Sequence, residues 1–173
     1  MAKLHELVAD LVKLAGGELT GRVRLQKIVY LLDQKGLGSG AGYIYYHYGP
    51  YSEDLWDAVS DAKLFEELRE ETTVSPDGWA TPYSVFKLND PRKRPDVLGG
   101  LPADEASSLL AKLRGVNSTV LELAATVHWL ACVERVPNWR TEIELRKAGK
   151  TGQGRLDGAV ELLKDLGLAP TTN

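Results

Sequence analysis

Several strings in this chain carry residue types that do chemistry in other proteins, and spacing decides what they can do here. Gly36-x-Gly38-x-x-Ala41 has the outline of a dinucleotide fingerprint. That fingerprint works by leaving a strand and opening a helix, so that a helix N-terminus meets the pyrophosphate. Here a helical pattern runs in and a strand pattern runs out, so no cofactor is expected. Gly149-Lys150-Thr151 ends like a phosphate-binding loop, but Glu144 stands where its first glycine belongs. His5, His47 and His128 lie too far apart for a local metal pair, and Cys132, the single cysteine, supplies neither a zinc quartet nor a disulfide within the chain. No Gly-x-Ser-x-Gly elbow is present, and the carboxylates of FEELREE, Phe65 to Glu71, read as a solvated helix face. The expectation is a protein that is not an enzyme and holds no cofactor or metal.

Binding chemistry is better represented. Arg22, Arg24 and Lys27 head a helical segment, where they suit either a solvated face or contact with phosphate or an acidic protein surface. Tyr43, Tyr45, Tyr46, Tyr48 and Tyr51 follow closely. Strand alternation would send some into the core and others outward, and outward tyrosines are rigid amphipathic contacts of the kind that dominate interfaces. His47 lies beside Gly49-Pro50 and is a candidate partner contact, whereas His128, on an apolar helix, reads as a hydrogen-bonded core residue. Cys132, in an apolar run, reads as a small core side chain.

The 173 residues suit one domain, or a domain with a helical appendage. With 43% hydrophobic and 26% charged residues the composition is that of an ordinary globular chain. The N-terminal segment carries Glu6 and Asp10 inside its apolar pattern, unlike a signal peptide, and no apolar run reaches the roughly 20 residues that cross a bilayer. A cytoplasmic location without membrane contact is expected. The net charge of −3 argues against general nucleic-acid affinity, although PRKRP at Pro91 to Pro95 and the stretch Asn138 to Arg155 are locally basic.

These residues need elements to position them. Leu4, Leu7, Val8, Leu11 and Leu14 have helical spacing that Gly16 and Gly17 end. Leu25, Ile28, Val29 and Leu32 form the stripe of a second helix, with Thr20 as cap, Gly36 as stop and Arg22, Gln26, Asp33 and Gln34 turned outward. Tyr43 to Tyr48 reads as a strand broken by Gly49-Pro50, and Ser52 caps a third helix. Ser75-Pro76-Asp77-Gly78 turns a hairpin whose second strand begins after Pro82 or runs along an edge. A linker over 91–101 precedes a helical region, 102–173, in which Ser118 to Arg135 is a helix apolar nearly all round and therefore central. The order of elements predicts a mainly α (α+β) protein: a winged-helix-like region over 1–90 with a β-hairpin, and a C-terminal helical bundle packed on it in one compact domain.

Leu25-Gln26-Lys27-Ile28-Val29-Tyr30-Leu31 and Tyr48-Gly49-Pro50-Tyr51-Ser52-Glu53 resemble the core signature of Panacea-type antitoxin domains and their YwgA-like prokaryotic relatives. The likeness covers the first 90 residues well and the C-terminal helices loosely. It implies a non-enzymatic domain that binds a partner protein directly, a cognate toxin or proteolytic machinery. The expected contact residues are Arg22, Arg24, Lys27, Tyr46, His47, Tyr48, Gly49, Pro50, Tyr51 and Ser52. A DNA-binding winged-helix regulator, with Arg22, Arg24, Lys27 and the basic C-terminal stretch on phosphates, is the alternative; a homodimer is compatible with either.

Overall fold

Gly16 and Gly17, with φ of 102° and 95°, end the first helix, α1 (Leu4–Leu14), and turn the chain into a short strand, β1 (Glu18–Thr20). The computed structural model describes residues 2–89 and 91–171. The second helix, α2 (Arg22–Gln34), starts at Gly21 rather than on a Thr20 cap: Thr20 is the last residue of β1, and Gly21, at φ 93°, has no side chain to cap with. A glycine serves here because the chain must pass from strand to helix through a left-handed residue. Every residue from Leu25 to Leu32 is buried, so α2 is a central helix, and Gln26 lies inside rather than facing solvent.

After a glycine-rich connection come a small hairpin, β2 (Ile44–Tyr46) with β3 (Gly49–Tyr51), and α3 (Glu53–Leu64). Ser52 caps α3 by accepting from the Leu55 N–H, and Glu53 and Asp54 complement the positive end of the helix. Strands β4 (Leu68–Val74) and β5 (Pro82–Leu88) form the longer hairpin, and β1 adds to β5 to give a three-stranded antiparallel sheet in the order β1-β5-β4. Pro82 opens β5 opposite Val74, where β1 does not reach, so its missing N–H costs no ladder bond on that side.

FEELREE is not a helix face. α3 ends with Phe65 as its C-cap, Glu66 takes a positive φ of 58°, and Leu68 begins β4, so the acidic run spans a turn and a strand. The expected linker 91–101 instead runs into a two-residue-per-strand hairpin, β6 (Val97–Leu98) with β7 (Leu101–Pro102), whose Leu98 and Leu101 are buried in the common core.

The C-terminal part is all helical: α4 (Ala103–Leu113), α5 (Ser118–His128), α6 (Trp139–Arg146) and α7 (Arg155–Asp165). α5 is buried from Leu121 to His128 and continues into a π-helical turn, Trp129–Val133, where the expected helix changes pitch. Leu130 of that turn stays in the core, while Cys132 is exposed rather than a core side chain. A mixed α/β N-terminal region with a small sheet is thus followed by a helical bundle. One hydrophobic core, centred on α2 and α5, runs through both. Among the described residues no single helix is long and apolar enough to cross a membrane.

Candidate functional site

Hairpin β2–β3 is only three residues per strand. A hairpin that short has little stability of its own, so the groups that hold it decide what it can do. On α2, Gln26 Nε2 donates to the Ser52 carbonyl at 2.9 Å while Gln26 Oε1 accepts from the Ser52 N–H at 2.9 Å, so the side-chain amide pairs with the backbone as another strand would. One turn position later, Lys27 Nζ donates to the Pro50 carbonyl at 2.5 Å. From the other side, Lys147 Nζ donates to the His47 carbonyl at 2.7 Å and to Glu122 on α5 at 2.8 Å. Lys150 adds two bonds to the same carboxylate, each 2.9 Å. Gly49 packs directly on Thr126 of α5, leaving no room for a Cβ.

Lys27 is only 1% exposed. Keeping an ammonium out of water costs several kcal/mol, against about 1.5–3 kcal/mol for one hydrogen bond to a charged group, so the neutral amine gains. Burial first, then the neighbouring charges of Lys147 and Lys150, lower the Lys27 pKa to about 7, and Glu122 opposes the fall. The residue is thus a buried hydrogen-bonding strut that gives up its proton far more readily than an exposed lysine.

Beneath the hairpin, Tyr30 and His128 share a 2.7 Å hydrogen bond. Burial lowers the imidazole pKa and raises that of the phenol, which favours the neutral form of both. His128 is therefore the hydrogen-bonded core residue its position suggested. Tyr43 also stays a phenol, because burial and its 2.8 Å bond to Asp33 raise its pKa. Asp33 in turn holds the glycine-rich connection through Ser39, at 2.8 and 2.6 Å.

What faces out from this base is aromatic. Ile44, Tyr46 and Tyr48 are 61%, 51% and 50% exposed, and His47 is exposed beside them. A cavity of about 300 Å³ opens between the hairpin, α2 and α3, walled by Tyr46, Tyr48, Tyr51 and Trp56, with Arg22, Val23, Gln26 and Lys27 completing it. Arg22 reaches across Trp56, its guanidinium carbon 4.9 Å from the ring centre, and pairs with Glu70 at 2.6 Å.

The expected contact residues thus divide. Arg22, Tyr46, His47, Tyr48 and, in part, Tyr51 are at the surface; Lys27, Gly49, Pro50 and Ser52 are buried beneath it. Arg24 lies away from the hairpin: its guanidinium donates to the carbonyls of Leu113, Arg114 and Val116 at 3.4, 3.1 and 2.5 Å, closing the end of α4. The sequence reading missed Gln26, Glu122 and Lys147. Glu122 did carry a signal, as a carboxylate set among apolar residues in the helical run from Ser118.

Among the described residues no group of histidine, cysteine and carboxylate side chains is arranged to hold a metal. Comparison of the chain with protein-family models, with curated proteins and with solved structures gives no match.

Proposed function

We propose that this chain is a non-enzymatic protein-interaction domain, antitoxin-like or regulatory, that binds a partner protein with the aromatic face of hairpin β2–β3. The observation that carries the reading is the combination of exposed Ile44, Tyr46 and Tyr48 with a buried polar base of Gln26, Lys27, Lys147 and Glu122. Buried polar groups fix one geometry when every member is satisfied, and presenting large rings in one geometry lowers the entropy lost on binding. The resemblance of Leu25–Leu31 and Tyr48–Glu53 to Panacea-type domains supports the antitoxin form of this reading and a cytoplasmic setting.

A second reading has its own observation. The order α1, β1, α2, α3, β4, β5 and the β1-β5-β4 sheet support a winged-helix reading, in which hairpin β2–β3 would be an insertion, β4–β5 the wing and α3 the recognition helix. The charge on α3 opposes a DNA-binding role. It carries Glu53, Asp54, Asp57 and Asp61 against Lys63, and phosphate would be repelled where a recognition helix must approach it. The winged-helix arrangement serves in our reading as a scaffold for the hairpin.

Co-expression tests the proposal. Each small protein encoded beside the gene is produced with and without this chain, and growth is followed. Rescue from a toxic neighbour that is lost in a Tyr46→Ala/Tyr48→Ala double variant of unchanged stability supports it. Rescue untouched by that variant, or tight duplex binding with a steep loss between low and moderate salt, contradicts it.

A further inference from the structure

The sheet β1-β5-β4 ends on one side in β4, and its ladder fixes which backbone groups of that strand are left over. Gly21 N–H donates to the Ser84 carbonyl and Leu88 N–H to the Gly17 carbonyl, so the even-numbered residues of β5 turn their polar groups toward β1. Tyr83, Val85 and Lys87 therefore bond to β4, where they stand opposite Thr73, Glu71 and Arg69. Polar groups alternate in direction along a strand. The N–H and C=O of Glu70, Thr72 and Val74 thus point away from the sheet, and among the described residues nothing bonds to them. Thr72, Thr73 and Val74 are exposed. Charges on an edge strand often guard it against pairing, but here they are spent within the chain, Glu70 on Arg22 and Lys63, Glu71 on Arg69 and Lys87.

We infer that the free edge of β4 pairs antiparallel with β4 of a second copy of this chain, across a two-fold axis at Thr72, and joins the two three-stranded sheets into one. This goes beyond the protein-binding reading above and uses a different surface. In this register Thr72 faces Thr72, Glu70 faces Val74 and Glu71 faces Thr73, so no like charges meet and about six main-chain hydrogen bonds form. The neighbouring registers are worse. An axis one residue earlier sets Glu71 against Glu71, and an axis one residue later sets Pro76, which has no N–H to donate, opposite Glu70. The same register also accounts for apolar side chains that the fold leaves in water. The tip of each long hairpin, where Val74 and Trp79 are 56% and 85% exposed, comes level with the α3–β4 turn of the other copy, where Leu64 and Phe65 are 74% and 57% exposed. That tip is held in one shape, because Asp77 accepts from the Ser75 hydroxyl at 2.6 Å and from the Trp79 N–H at 3.1 Å. An extended segment of another protein would satisfy the backbone groups alone, whereas an identical strand run backwards also brings an apolar turn to the tip at both ends.

Analytical ultracentrifugation of the full chain tests this. Over about a hundredfold range of concentration, two decades of Kd, the wild type should pass into a species of twice the 19.0 kDa chain mass. Thr72→Pro removes an outward N–H and leaves the bonds to β5 in place. Thr72→Lys and Thr72→Glu each set like charges against one another at the axis. All three variants, with far-UV circular dichroism unchanged, should weaken the dimer at least about tenfold. An equimolar mixture of Thr72→Lys with Thr72→Glu should restore it, because a residue meets its own counterpart at a two-fold axis. Tyr46→Ala/Tyr48→Ala should dimerise as the wild type does. A monomer at every concentration, a dimer that Thr72→Pro and Thr72→Lys leave intact, or charged variants that stay monomeric when mixed overturns the inference. A dimer lost with Tyr46 and Tyr48 but kept in Thr72→Lys also overturns it, by placing the contact on hairpin β2–β3. The protein-binding reading is tested by rescue and stands or falls separately.

Discussion

Gln26 and Ser52 are joined by a two-bond ring, side-chain amide to backbone amide, both bonds 2.9 Å and both buried. It ties the central helix to the residue that ends the hairpin and caps α3, so one side chain sets the position of both elements. Gln26→Glu turns the Nε2 donor into an oxygen facing the Ser52 carbonyl. Leaving a buried carbonyl unpaired and burying a carboxylate should cost about 3 kcal/mol or more, read as a drop in the urea midpoint. Gln26→Met, which removes both polar ends, should cost less than Gln26→Ala, which also leaves a cavity.

Gly49→Ala should be among the most destabilising small substitutions in the chain. Gly49 has φ 87°, and an added Cβ would collide with Thr126 Oγ1 while lying 3.5 Å from Thr126 Cβ. Thr126→Ala removes the first obstacle and leaves the second at ordinary contact. The double variant should therefore recover part of the loss, with a coupling energy on the order of 1 kcal/mol in a double-mutant cycle, and the residual should reflect the left-handed backbone. Additive effects would show that the close approach to Thr126 is not what requires glycine.

Lys27 predicts a pH signature. Its ordinary pKa of 10.5 falls to about 7 in the folded chain. Between those values the unfolded state holds a proton that the folded state has released, so unfolding takes up protons and stability rises with pH. Wild type minus Lys27→Met, measured by urea unfolding at pH 7, 8, 9 and 10, should isolate a rise of up to about 1.4 kcal/mol per pH unit. The difference should flatten below pH 6, where both states are protonated. A flat difference from pH 7 to 10 would mean that the amine stays charged.

Arg24→Met should weaken the α4–α5 junction without touching binding. The carbonyls of Arg114 and Val116 lose the Arg24 donor, and that of Leu113 keeps only the Val116 N–H, at a cost of about 1.5–3 kcal/mol. Hydrogen exchange should quicken over residues 112–118, while affinity for the partner stays at the wild-type value.

Much of the scaffold is legible in the sequence because local rules and tertiary structure agree there. Leu4 to Leu14 has the right period and its glycine stop, Ser52 is a capping residue followed by acids, and Ser75-Pro76-Asp77-Gly78 turns the long hairpin. Legibility fails where tertiary partners override local preference. FEELREE has helical composition, but pairing of Leu68 with Leu88 and Glu70 with Phe86 draws it into β4. Gln26, Lys27 and Lys147 are types expected at the surface, and each is buried because a backbone carbonyl distant in sequence accepts from it. The candidate site was half visible: the tyrosines announced the face, while the polar base became evident only once α2, α5 and the end of α6 were brought against the hairpin.

The central claim is that the exposed rings of β2–β3 bind a partner protein. Titration calorimetry of the purified chain with the protein encoded beside it, for wild type and for Tyr46→Ala/Tyr48→Ala at 50 and 300 mM salt, addresses this most directly. The account predicts a complex that weakens at least about a hundredfold in the double variant, roughly two anchor residues' worth, and that changes far less with salt than a phosphate-binding surface would. Wild-type affinity in the double variant, with the hairpin folded and its melting unchanged, would contradict it.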